Sequence, residues 1–208
     1  MMKLILVRHG ETAWNREERF RGRKNILLND KGILQAKLAA EYLNDFKIDL
    51  IVASPMQRAL QTAREIKRDR NIEIIIDEEI ADMDFGQWEG MKVNDVREKY
   101  PELFSIWVST PHLCRIPDGE NFQMVLDRSL RAIDKIKKLK NVKVASIITH
   151  RVVTMLLLCH YLGLDLARFW DIRQDSTAIN MISWKNEDEY SVDLINETCH
   201  LLKFGNAV

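Results

Sequence analysis

Three short apolar runs constrain this chain more than any other feature: Leu4 to Val7, Leu50 to Ala53 and Val144 to Ile148, each stopping abruptly at polar residues. Such runs suit strands buried on both faces, as in a parallel sheet covered by helices. Between them lie segments of helical period: Lys31 to Phe46 with Asp30 as N-cap, Gln57 to Lys67, and Glu120 to Leu139. Ile72 to Ile76 reads as a fourth strand. Ala178 to Trp184 and Tyr190 to Ile195 read as a hairpin about the polar turn Lys185 to Glu189, closing one sheet edge. This alternation predicts a three-layer α/β/α fold with a mostly parallel central sheet.

Between Ile80 and Glu120 the pattern loosens. One short helix, Val93 to Lys99, stops at Tyr100-Pro101, and Pro111 and Pro117 follow. With no repeat, linker or low-complexity tract, the chain reads as a single domain over 1–208, with residues 80–120 inserted as a cap.

Lysine plus arginine (31) equals aspartate plus glutamate (31), so no whole-molecule field exists to hold nucleic acid or an anionic membrane. Anion selectivity has to be local. The apolar run Val152 to Cys159 falls far short of the ~20 residues of a membrane span. Cys114, Cys159 and Cys199 are widely spaced, odd in number and without a secretory leader ahead of them. They fit a soluble protein in a reducing cytoplasm and read as buried, inert thiols.

In an open parallel sheet, ligands bind beyond the carboxyl ends of the strands. The three runs are followed there by Arg8-His9-Gly10-Glu11-Thr12, Ser54-Pro55-Met56-Gln57-Arg58 and Thr149-His150-Arg151. Two histidines and several arginines therefore converge. Arginine offers a planar fork of donors that keeps its charge and matches phosphoryl oxygens. A histidine inside such a ring is held largely neutral, with a ring nitrogen free to attack phosphorus, while the second stabilises transition-state charge. The histidines lack H-x-x-x-H or H-E-x-x-H spacing and have no carboxylate cluster beside them, so no metal or other cofactor is expected. Arginine supplies the charge stabilisation instead. The partner this constellation asks for is a small phosphorylated metabolite. His112 and His160 lack such context and read as structural. Trp14, Trp88, Trp107 and Trp170 read as packing residues, with Trp107 also placed to shape the pocket.

The stretch from Leu6 to Asn15, LVRHGETAWN, resembles the R-H-G signature of the histidine phosphatases and cofactor-dependent phosphoglycerate mutases. Further matches follow in the family's order: Arg19 to Gly22, Leu28 to Gly32, Ser54 to Ala63, Phe85 to Gly90, Pro117 to Glu120, and Thr149-His150. The resemblance spans essentially the whole chain. It implies a phosphoglycerate mutase-like fold and metal-independent hydrolysis of a phosphomonoester through phosphohistidine. It also implies that His9 is the nucleophile, that Arg8, Arg58 and His150 form the phosphate pocket with Asn15 beside them, and that Arg21 and Gly22 belong to a second phosphate-contacting segment. The family's proton donor is usually a glutamate four residues before the glycine of the G-x-W-E-G run. Here that position is Asp82, shorter by one methylene, so that the backbone moves inward or Asp84 shares the role. Arg21 and Arg151 stand where the family often has uncharged residues, which favours a substrate carrying a carboxylate besides its phosphate.

The segment Asn196 to Leu201, with Phe169-Trp170 and the Tyr100-Pro101 to Trp107 stretch, is similar to the metal-independent phosphoserine phosphatases of this superfamily. That implies a tail, including His200, that returns to the crevice and encloses the amino-acid end of L-phosphoserine. Phe85 departs from that branch, which commonly has histidine there. α-Ribazole phosphate and sugar phosphates are the alternative substrates. A phosphoglycerate mutase is the alternative enzyme, though the segment Gly90 to Glu120 is short for one. A degenerate phosphate-ligand binding protein, motivated by Asp82, is the non-enzyme alternative. The expected assembly is left open to a homodimer, with no nucleic-acid or membrane partner.

Overall fold

The three apolar runs become adjacent strands. β1 (Met2–Arg8) pairs in parallel with β4 (Val144–Thr149), β4 with β2 (Leu50–Ala53), and β2 with β3 (Ile74–Ile76). On the far side of β1, β5 (Ile179–Trp184) and β6 (Tyr190–Glu197) add as an antiparallel hairpin. The sheet order is β3-β2-β4-β1-β5-β6, so the hairpin closes one edge as the sequence predicts. The computed structural model describes residues 2–186 and 189–202; Glu187 and Asp188 of the expected turn lie outside them.

The helices of the described residues are α1 (Ala13–Arg16), α2 (Asp30–Tyr42), α3 (Gln57–Lys67), α4 (Val93–Lys99), α5 (Pro101–Ser109), α6 (Phe122–Lys137), α7 (Arg151–Tyr161) and α8 (Cys199–Leu202). Strand residues alternate between two cores, as the pleat requires. Ile5, Val7, Ile51, Ala53 and Ile148 pack with α2 and α3. Leu4, Leu6, Val52, Ala145 and Ile147 pack with α6 and α7 on the opposite face, in one cluster with Ile80, Met83, Trp88, Phe104 and Ile116. Residues 80–120 are thus built onto the α6/α7 side.

β3, β5, β6 and α6 shift by one or two residues at their ends from the expected ranges, and three larger differences have local reasons. Asn29, not Asp30, caps α2: its side chain accepts from Gly32 N at 2.8 Å, and Asp30 becomes the first helical residue, where a carboxylate favours the helix dipole. The helix stops at Tyr42 and tightens into a 3-10 turn, Leu43–Asp45. The third difference is α5. Tyr100-Pro101 ends α4 as expected, but Pro101 also opens a new helix, where its missing N–H costs nothing. α3 and α4 have the expected limits.

Cys114 and Cys159 are buried, and burial pushes both thiols up to about 11. Cys199 departs from the expectation of a buried thiol: it opens α8 at the surface. Among the described residues no helix is long and apolar enough to cross a membrane.

Candidate active site

β1, β4 and β2 end level, with Arg8 opposite Thr149 and Ala53 opposite Ile148. The hydrogen-bond ladder continues one residue further: His9 N donates to Thr149 O and Ser54 N to Ile148 O, both at 3.0 Å. His9, Ser54 and His150 therefore leave the sheet together, and the two imidazole centroids lie 5.1 Å apart. α3 starts three residues after Ser54 and carries Arg58 in its first turn. His150 is the N-cap of α7, which aims that helix's positive end at the same point.

His9 is fully buried, and its Nδ1 lies 2.7 Å from the Gly10 carbonyl oxygen. A carbonyl only accepts, so Nδ1 carries the proton and Nε2 the lone pair. Nε2 has no partner among the described residues. Burial, reinforced by Arg58, His150 and Arg8, holds His9 well below the ordinary histidine range. The site thus offers a neutral imidazole whose lone-pair nitrogen is uncommitted. His150 is held down by burial and the same arginines. Its Nε2 lies 2.7 Å from Ser54 Oγ, and its Nδ1 lies 3.4 Å from Asp82 Oδ2 without the alignment of a hydrogen bond.

The arginines are held from behind. Arg8 Nη1 donates to Gln174 O at 2.6 Å, while Arg58 donates to Lys24 O, Gly22 O and Asp82 Oδ2 at 2.8, 2.6 and 2.9 Å. Burial and mutual repulsion lower Arg8 to about 9, and burial lowers Arg21 to about 10. Five of the ten buried side-chain polar atoms without a partner among the described residues are here: Arg8 Nε, His9 Nε2, Arg21 Nε, Arg58 Nε and His150 Nδ1. Crowded cations with spare donors are what a dianion relieves. No group of three or more His, Cys, Asp or Glu side chains among the described residues is placed to hold a metal ion.

The cluster opens into a cavity of about 800 Å³ lined by Arg8, Asn15, Arg21, Asp82 and Arg151, with an aromatic wall that includes Trp107 and Trp170. His9, Arg58 and His150 are fully buried behind this lining, His9 next to Arg8 in the chain and Arg58 and His150 against Asp82. Asn15 Oδ1 accepts from both Thr12 N and Thr12 Oγ1, which leaves its amide nitrogen for the cavity. The Arg151 guanidinium lies 5.6 Å over the Trp170 ring. Trp170, which the sequence reads as a packing residue, also lines the cavity.

The structure separates Asp82 from Asp84. Asp82 is 4% exposed and sits between Arg58 and His150, whereas Asp84 spends its side chain on Gly86 N at 2.8 Å and is not part of the lining. Two residues expected to touch substrate stand behind the site. Gly22 does not line the cavity; its carbonyl anchors Arg58. His200 is not brought to the cavity either: α8 packs on α2, with His200 beside the Tyr42 ring and its Nε2 3.1 Å from Thr177 Oγ1. The expected segment Asn196 to Leu201 lies wholly within the described residues. Sequence reasoning missed Ser54 as the His150 partner, Gln174 behind Arg8, and Arg128 and Glu120 beneath Asp82. Ser54 had a signal, its place at the end of an apolar run. Arg128 had none, since a charged residue on an amphipathic helix reads as solvated.

Comparison with known proteins agrees with this geometry. The model of the histidine phosphatase superfamily (branch 1) matches residues 4–198. Phosphoserine phosphatase 1 of Hydrogenobacter thermophilus is 36% identical over 204 residues, covering 98% of this chain and 96% of that protein. Among solved structures, Bacillus stearothermophilus YhfR superposes with a TM-score of 0.93 at 29% identity, covering 97% of this chain and all of that one (100%). A phosphoserine phosphatase from Entamoeba histolytica, solved with 3-phosphoglyceric acid, superposes at 0.85 with 26% identity over 97% of this chain and 100% of that one. On its motifs, its strand-end geometry and these matches, the chain belongs to the histidine phosphatase superfamily, branch 1.

Proposed function

We propose that this phosphomonoesterase works by two displacements at phosphorus and that its substrate is L-phosphoserine. In the first, His9 Nε2 attacks phosphorus, the bond to the leaving oxygen breaks, and Asp82 gives that oxygen a proton. In the second, water attacks the phosphohistidine, returns a proton to Asp82 and releases phosphate from the nitrogen. Arg8, Arg21, Arg58 and Asn15 hold the phosphoryl oxygens, with His150 stabilising the charge that develops on them. The observation that carries this reading is the pinned Nδ1 of His9, which leaves Nε2 as a lone pair at the centre of the arginine cluster.

The phosphoserine assignment is supported by the names of the Hydrogenobacter and Entamoeba relatives and by the charges around the cavity. Arg151 lines the cavity and would meet the carboxylate, and Glu18, the lining carboxylate besides Asp82, would meet the ammonium group. We read the chain as one catalytic domain with residues 80–120 as its cap, a reading supported by the core they share with α6 and α7.

The test compares kcat/KM for L-phosphoserine, phosphothreonine, α-ribazole phosphate and 3-phosphoglycerate in the presence of EDTA. L-Phosphoserine is expected to be the best of the four, with activity unaffected by the chelator. A higher kcat/KM for any other overturns the phosphoserine assignment, and conversion of 3-phosphoglycerate to its isomer faster than phosphate release overturns hydrolysis as the main reaction.

A further inference from the structure

We propose that Arg128, locked by Glu120, is a positioning residue that sets the reach of Asp82 toward the leaving oxygen. The proposal rests on Asp82 being the proton donor. Arg128 lies on α6, outside the cavity lining, and is 6% exposed. All five of its N–H donors are used. Nε and Nη2 grip the two Glu120 carboxylate oxygens at 2.8 and 2.9 Å. The remaining donors reach the carbonyls of Glu79 (2.8 Å), Ala81 (2.7 Å) and Asp82 itself (3.0 Å).

This pattern answers a need of the backbone. Residues 79–82 belong to no strand, so their carbonyls lack ladder partners, and buried carbonyls demand donors. Arg128 supplies them for three, and Thr149 Oγ1 takes the fourth, Ile80 O, at 2.8 Å. Glu120 holds the other flank of Asp82: its N donates to Asp84 O and its Oε2 accepts from Asp84 N, both at 2.9 Å. The carboxylate is fixed too, with Oδ2 on Arg58 at 2.9 Å and Oδ1 on Met83 N at 3.0 Å.

An aspartate has one rotatable bond fewer than a glutamate, so it cannot swing to recover from a displaced backbone. Its reach is set by where its Cα is held, and Arg128 does the holding. A misplacement of about 1 Å in a proton donor costs on the order of 100-fold in rate. The bond network spends a buried ion pair at this one point, although an apolar pair of similar volume commonly packs as stably. That choice is explained if the donors serve the acid and not the core alone.

The experiment uses two substrates that differ in the leaving group, phenyl phosphate and p-nitrophenyl phosphate, with thermal unfolding confirming that each variant is folded at the assay temperature. Asp82→Asn is the control for the acid itself. Arg128→Lys is expected to lower kcat on phenyl phosphate by roughly 10- to 100-fold, while p-nitrophenyl phosphate, which needs little protonation, falls by less than about 3-fold. In the Asp82→Asn background, Arg128→Lys is expected to add no further loss. Asp82→Glu, with its extra methylene, is expected to recover part of the loss caused by Arg128→Lys. Equal losses on both substrates, or no loss on either, overturn the positioning role. If Asp82→Asn itself shows no dependence on the leaving group, the acid assignment falls first and takes the proposal with it. Should Arg128→Lys fail to fold, Glu120→Gln weakens the same clamp: a loss confined to phenyl phosphate supports the positioning role, and equal or absent losses overturn it.

Discussion

Gly22 shows how much of the site depends on atoms that never meet the substrate. Its φ is +51°, a left-handed conformation that costs any side chain, and an added Cβ would sit 1.9 Å from Glu89 Oε1. Its carbonyl is also the closest anchor of Arg58. Gly22→Ala is therefore expected to destabilise the fold by roughly 1–3 kcal/mol and to raise KM for phosphate esters, because the carbonyl that aims Arg58 is displaced. Urea unfolding and steady-state kinetics check the two parts. Adding Glu89→Ala removes the clash but not the strained φ, so the double variant should recover only partly. Unchanged stability and KM in Gly22→Ala would show that neither the conformation nor the anchor matters.

Among the helices, α8 carries a buried histidine whose charge state is tied to folding. Burial pushes His200 down from 6.5 to about 4, against a smaller upward pull from Glu197. The unfolded chain takes up a proton as pH falls through the ordinary histidine value, and the folded chain does not until near 4. Stability is then complete above the unfolded value and is lost as pH drops between the two, by up to about 1.4 kcal/mol per pH unit for one histidine. His9 and His150, held down by burial and the arginines, add in the same direction. His200→Gln should lower the slope of unfolding free energy against pH in that window by about one proton, whatever it does to stability at neutral pH. Equal slopes in the two proteins would show that His200 is not buried as a neutral ring.

Elements whose signals are local were legible in the sequence. α3 and α4 have their expected limits because their ends are marked nearby, by Ser54-Pro55 and Tyr100-Pro101. α5 was not legible, since a proline after a helix marks a stop and a start alike and only packing decides. The strand ends delivered His9 and His150 because parallel register brings them level. Asp82 came only through resemblance: it lies on no strand, and what holds it is a side chain 46 residues further along the chain, paired by tertiary contact. His200 failed for the complementary reason. Nothing in the tail says which face of the sheet it crosses to, and it packs on α2 instead of the cavity.

The whole molecule has no net charge, yet it concentrates Arg8, Arg21, Arg58 and Arg151 around one histidine at the end of one strand. An uncharged body thus carries a local cluster of cations beside a neutral imidazole whose Nε2 has no partner among the described residues. Everything proposed for the reaction depends on the phosphoryl group passing through His9 Nε2. The enzyme can be mixed with p-nitrophenyl phosphate in EDTA and quenched within the first turnover in alkali, where a phosphorus–nitrogen bond survives, before peptide mass spectrometry maps the adduct. One phosphoryl group is predicted on His9, absent from His9→Ala, which should also be inactive. Turnover with no adduct on His9, or an adduct on any other residue, would contradict the phosphohistidine route.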